Sequence, residues 1–70
     1  MFNYTISIIE NNRIERLYYN TEKDANKIYS IMCGLARYAH NIEGVLLWQH
    51  QKGKTIDTDP LARILKQYYK

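Results

Sequence analysis

From Thr21 to Ala39, apolar side chains recur at three- and four-residue spacing, and the chain on either side changes to alternation. That change of period limits the fold more than any other feature. Ala25, Ile28, Tyr29, Met32, Leu35, Ala36 and Ala39 share one face of a helix, while Lys23, Asn26, Lys27, Ser30 and Arg37 fall mostly on the other. Thr21 stands where a helix cap accepts a first-turn amide, and Glu22 and Asp24 place negative charge at the positive end of the helix dipole. The helix is expected to close near His40-Asn41, with Asn in a left-handed cap. Gly34 is out of place in its interior, where glycine costs ~1 kcal/mol against alanine. Close approach of the helix to a sheet is the plainest account of it, and a docking notch for a partner is the alternative.

Alternation before the helix reads as a hairpin. Tyr4, Ile6 and Ile8 share one face of a first strand, and Thr5 and Ser7 the other. Asn11-Asn12 suits the positive φ of a two-residue turn. Such a turn sets Glu10 against Arg13, Ile8 against Glu15, Ile6 against Leu17 and Tyr4 against Tyr19. Tyr4, Ile6, Leu17 and Tyr19 then face the core, and Thr5, Ser7, Arg16 and Tyr18 face away.

After the helix, Gly44 opens a strand over Val45-Leu46-Leu47-Trp48-Gln49-His50 with apolar residues on both sides. Lys52-Gly53 reads as a turn and Thr55-Ile56-Asp57 as a short fourth strand. Asp59-Pro60 is the start signal of a second helix, with Leu61, Ile64, Leu65 and Tyr68 as its apolar stripe. A weak repeat agrees, since Asn20-Thr21-Glu22 and Asp57-Thr58-Asp59 precede Ala25 and Ala62 at the same offset. The expected fold is α+β in the order ββαββα: a four-stranded, mainly antiparallel sheet with two helices on one face, in a single domain over residues 1–70. The second sheet face, with Arg16, Tyr18, Leu46, Trp48 and His50, is expected to be uncovered.

Seventy residues bury a thin core, which leaves no room for a substrate cleft beside a cofactor domain. Oligomerisation or a partner often supports scaffolds of this size. One cysteine, Cys33, excludes an internal disulfide and reads as a buried, inert thiol in a reducing compartment. The first residues lack the charge and apolar run of a signal peptide, and no stretch is apolar enough to span a membrane, so a cytoplasmic setting is expected.

The net charge of +3 is concentrated at one end. Lys52, Lys54, Arg63, Lys66 and Lys70 outnumber Asp57 and Asp59 in the last twenty residues, and the first fifty are balanced. Such an end suits nucleic acid, an acidic protein surface, or plain solvation.

Catalytic and metal constellations are weak. His40 and His50 share no ligand spacing with Cys33. Asp57 and Asp59 read as capping residues more readily than as cation ligands. Glu10 and Glu15 lack an apolar pocket to raise a carboxyl pKa. The three glycines form no phosphate loop. The residues therefore point to binding without catalysis and without a cofactor. Seven tyrosines and one tryptophan exceed what so thin a core can hide. Arg16, Tyr18, Leu46 and Trp48 on the open face make the leading partner-binding set, joined by Lys52 and Lys54 at the turn; the alternative is a Trp48 that points into the core and leaves that face plain. Arg63, Lys66 and Lys70 form a secondary basic face.

In style, the hairpin Ile8-Ile9-Glu10-Asn11-Asn12-Arg13-Ile14 leading to Leu17-Tyr18-Tyr19-Asn20-Thr21-Glu22-Lys23-Asp24-Ala25 resembles the small accessory proteins of phages and mobile elements from AT-rich bacteria. The stretch from Leu47-Trp48 to Gly53-Lys54 adds to the likeness. The resemblance implies a phage-type inhibitor that occludes a host protein or defence complex, as anti-CRISPR-like proteins do. It transfers no residue roles. A small nucleic-acid-binding protein is the alternative, and an oligomeric sponge for a small anionic nucleotide is a third. A homodimer through the open sheet face also fits the residue pattern.

Overall fold

The computed structural model describes residues 1–70 as one antiparallel sheet with one helix across it. The elements are β1 (Phe2–Glu10), β2 (Arg13–Tyr19), α1 (Glu22–Tyr38), β3 (Ile42–Gln51) and β4 (Arg63–Tyr69). In space the strands run β2-β1-β3-β4, so the two central strands are the most apolar in sequence.

The first hairpin follows local chemistry. Asn11 and Asn12 both take positive φ, at 39° and 67°, as a tight two-residue turn requires. The register pairs Glu10 with Arg13, Ile8 with Glu15, Ile6 with Leu17 and Tyr4 with Tyr19. A one-residue slip would have turned Ile6 and Ile8 away from the helix. At the helix start, the Thr21 hydroxyl accepts the Asp24 amide at 3.3 Å, leaving Glu22 and Asp24 in the first turn. The Tyr4 hydroxyl donates to Glu22 at 3.4 Å and ties that turn to β1. Burial, then the Glu22 carboxylate, pushes the Tyr4 phenol above its ordinary value.

The registers resolve the helix-facing side into three rows from β2 to β4. They are Glu15–Ile8–Val45–Tyr68, Leu17–Ile6–Leu47–Lys66 and Tyr19–Tyr4–Gln49–Arg63. Ala25, Tyr29 and Ala36 of α1 join Tyr4, Ile6, Ile8, Val45 and Leu47 in one core, and Ile6, Val45 and Leu47 are fully enclosed. Small alanines let the helix lie close to the central strands.

Several expectations need correction. The order is ββαββ, with one helix instead of two. Residues expected to form a second helix pair as β4 along β3, and Thr55-Ile56-Asp57 is a turn and not a strand. The physical reason is the outer edge of β3, whose amides and carbonyls need partners. Ten residues of isolated helix gain less than a ladder on that edge. Asp59 does cap, but it caps a bend: its carboxylate accepts the amides of Leu61 at 2.9 Å and Gln51 at 2.6 Å.

The helix also ends earlier than expected, at Tyr38. Ala39 is extended, and its amide bonds back to the Leu35 carbonyl, so Asn41 forms no left-handed cap. Leu35, expected in the core, is 52% exposed. Gly34 approaches nothing: a Cβ there would meet no atom within 4 Å. Close packing on the sheet is therefore not its role.

Candidate functional site

The sheet face opposite the helix also forms three rows across all four strands. They read Ile14–Ile9–Gly44–Tyr69, Arg16–Ser7–Leu46–Gln67 and Tyr18–Thr5–Trp48–Ile64. Arg16, Tyr18, Leu46 and Trp48 are thus brought onto one face by pairing alone. The face is not bare, however. Residues 52–62 leave β3 through a turn at Gly53 (φ 83°) and cross in front of β1 to reach β2. There the Asp57 carboxylate takes both Arg16 amino groups, at 2.6 and 3.4 Å.

Under this strap lies a small polar core. Thr5 is fully buried, as is most of Ser7 and His50. The Thr5 hydroxyl and His50 Nε2 are 2.7 Å apart, and His50 Nδ1 is 3.4 Å from the Gln51 carbonyl. A carbonyl only accepts, so a neutral His50 with its proton on Nδ1 donates to Gln51 and accepts a hydrogen bond from the Thr5 hydroxyl at Nε2. Asp59 anchors the strap's far end. Its backbone hydrogen bonds, that from Gln51 first, hold its carboxyl below the ordinary value.

The strap changes which residues a partner can meet. Leu46 is only 6% exposed and Trp48 is half-buried, with its indole N–H enclosed and unpartnered. Arg16 is held by Asp57, the main reason its guanidinium pKa is raised. The exposed members are Ile14 (59%), Tyr18 (63%), Tyr69 (56%) and Ile64. Of these, Ile14 was in no candidate set and Ile64 was expected on a helix. Tyr69 joins this face only through β4. It lies across Gly44, where a Cβ would stand 2.8 Å from its ring. Gly44 opposite an aromatic residue was the available signal, once β4 is read as a strand.

The basic residues do not gather on one surface. Lys52 and Lys54 lie in the strap's turn, Arg63 and Lys66 face the helix side, and the Lys70 ammonium donates to the Ala39 carbonyl at the helix end. Glu10 and Glu15 are separated as well: Glu10 accepts from Asn41 at 2.8 Å, and Glu15 lies 4.0 Å from Arg13. No group of three His, Cys, Asp or Glu side chains could hold a metal ion, and no helix is long and apolar enough to cross a membrane.

The other concave feature lies between α1 and β4. A cavity of about 340 Å³ is lined by Tyr29, Ser30, Cys33, Gly34, Arg37, Gln67 and Tyr68. Cys33 is therefore half-buried at a cavity wall and not sealed in the core as expected. Burial, then the adjacent thiol, pushes the Tyr29 phenol up to about 12. The Lys66 ammonium lies 5.9 Å from the centre of the Tyr29 ring.

Comparison with protein-family models, curated proteins and solved structures found no match.

Proposed function

We propose that this chain is a non-enzymatic protein-interaction module that docks through the helix-free face of its sheet. The mechanism is steric: the bound chain covers a working surface of its partner, in the manner of a phage-encoded inhibitor of a host protein or defence complex. The observation that carries the reading is the row Ile14–Ile9–Gly44–Tyr69, which crosses all four strands without a charged side chain. Tyr18 and Ile64 extend it along both edge strands. Apolar and aromatic residues with few charges form the centre of protein interfaces, and tyrosine is a common anchor. Arg16, already neutralised by Asp57, adds rim polarity instead of a free charge.

The divided cations favour this reading over nucleic-acid binding. A phosphate backbone is held by several cations acting on one face, and here they lie at both ends and on the helix side. The test is capture on immobilised protein from a nuclease-treated bacterial lysate, comparing the natural chain with Tyr18→Ala/Tyr69→Ala. A discrete partner protein held by the natural chain and lost by the folded double variant supports the proposal. Capture that nuclease abolishes, or that the variant retains in full, refutes it.

A further inference from the structure

We infer that the groove between α1 and β4 binds an aromatic ring bearing one phosphoryl group, the chemistry of a nucleoside monophosphate. The site lies across the sheet from the docking face and stands or falls independently of it.

Three observations converge on the groove. The first is charge. Arg37 lines it, and no carboxylate pairs with that guanidinium; the only ion pairs in the molecule are Arg13–Glu15 and Arg16–Asp57. Lys66 stands at the Tyr29 ring beside the groove, also without a carboxylate. None of the seven lining residues is acidic. A planar guanidinium forks onto phosphoryl oxygens, and an ammonium beside it adds a point charge. The end of α1 contributes negative partial charge, but the Lys70 ammonium already engages the Ala39 carbonyl there.

The second observation is shape. Tyr29 of the helix and Tyr68 of β4 supply aromatic walls on the two sides, and Ser30 supplies a hydroxyl. A volume of about 340 Å³ is near the lower end of the ~300–1,000 Å³ typical of small-molecule sites. It admits one ring system with one phosphoryl group better than a dinucleotide.

The third is Gly34. An interior helical glycine costs ~1 kcal/mol against alanine, so its presence in α1 calls for a compensating role. Packing within this chain gives none, because a Cβ would enter open space at the groove wall. The residue keeps the groove wide. A substitution that narrows the groove should therefore improve the helix while it harms binding, which separates a binding role from a folding role.

The experiment is calorimetric titration of the full chain with AMP, adenosine, inorganic phosphate and a 5′-phosphorylated single-stranded oligonucleotide, each alone. Heteronuclear NMR locates the response. AMP should bind at micromolar to submillimolar concentration and shift Ser30, Cys33, Gly34 and Arg37. Adenosine and phosphate should each bind at least about tenfold more weakly. Arg37→Gln should weaken AMP at least about tenfold. Gly34→Leu should do the same while the thermal midpoint stays level or rises. Absence of AMP binding at millimolar concentration overturns the inference, as does binding that survives both substitutions. Adenosine binding as well as AMP removes the phosphoryl requirement, and phosphate binding as well as AMP removes the ring; either result refutes the assignment. An oligonucleotide that outcompetes AMP at the groove assigns the ring and phosphate to a nucleic-acid end instead of a free nucleotide.

Discussion

The two faces of the sheet are made by the same four strands and come to opposite ends. Toward the helix, Ile6, Val45 and Leu47 are fully enclosed, and α1 covers them with small and aromatic residues. Away from the helix, enclosure comes from a loop, and it is partial. Thr5 and His50 are sealed by the strap, whereas Ile14, Tyr18 and Tyr69 remain exposed. A sheet face that has no helix must be polar, strapped or partnered, and this one is strapped over one part and apolar over the rest. Under the proposed function, the enclosed face holds the fold and the part-open face is the one that docks.

The sharpest way to break that division is to truncate one residue from each face. Leu47→Ala should cost ~2–5 kcal/mol, since it empties the centre of a thin core. Tyr18→Ala, on the other face, should stay within about 0.5 kcal/mol, as exposed substitutions do. Urea denaturation followed by circular dichroism measures both. Equal costs would mean that the open face also holds the fold together.

Next in size is Gly44, where the helix-free face itself is packed. Gly44→Ala drives a Cβ toward the Tyr69 ring and the Tyr68 carbonyl, and should cost ~1–3 kcal/mol. Tyr69→Ala should relieve much of that cost in a double-mutant cycle. Additive costs would show that the ring does not rest on the glycine.

Gly34→Ala should run the other way and stabilise by ~1 kcal/mol, the ordinary helix preference, because no packing opposes it. The two glycines thus make opposite claims about the two faces, and thermal denaturation of both variants checks them together.

Smaller still is the strap's own tie. Arg16→Ala should lower global stability by no more than ~1 kcal/mol, as exposed ion pairs do. It should nonetheless speed amide exchange across residues 52–62 more than in β1 or β3. Uniform exchange in natural chain and variant would mean that the Arg16–Asp57 pair does not hold the strap.

The least of these effects appears only in acid. Asp59 has a folded pKa below its ordinary 3.8, chiefly because backbone amides bond to its ionised form. A depressed carboxyl stabilises the fold when ionised. Its contribution is therefore complete above the ordinary value and is lost as pH falls through the folded value. Asp59→Asn should flatten that acid limb of the stability profile; an unchanged limb would place it on other carboxylates.

Legibility in the sequence tracked the range of the forces. The first hairpin was readable residue by residue, because Asn11-Asn12 fixes the turn and the turn fixes the register. The Thr21 cap was readable for the same local reason. The last segment was not. Ile64, Leu65 and Tyr68 satisfy helical spacing, while Arg63-Ile64-Leu65-Lys66-Gln67-Tyr68-Tyr69 is equally a two-sided strand with β-favouring residues. What decides is the unpaired edge of β3, a partner distant in the fold and silent in any local window. The same error hid part of the helix-free face. Alternation put Arg16, Tyr18 and Leu46 on one face and left Trp48 open between that face and the core, and Ile64 and Tyr69 join the face only once β4 exists. The strap, with its Arg16–Asp57 tie, had no periodic signal at all.

The division between the faces is tested most directly by partner capture with paired variants. The natural chain, Tyr18→Ala/Tyr69→Ala and the helix-side control Arg37→Gln would each be immobilised, exposed to nuclease-treated lysate, and checked for folding by circular dichroism. The expected result is one discrete protein bound by the natural chain and by Arg37→Gln, and absent from the folded Tyr18→Ala/Tyr69→Ala variant. Capture that persists with both tyrosines removed, or that is lost with Arg37→Gln instead, would contradict a docking role for the helix-free face.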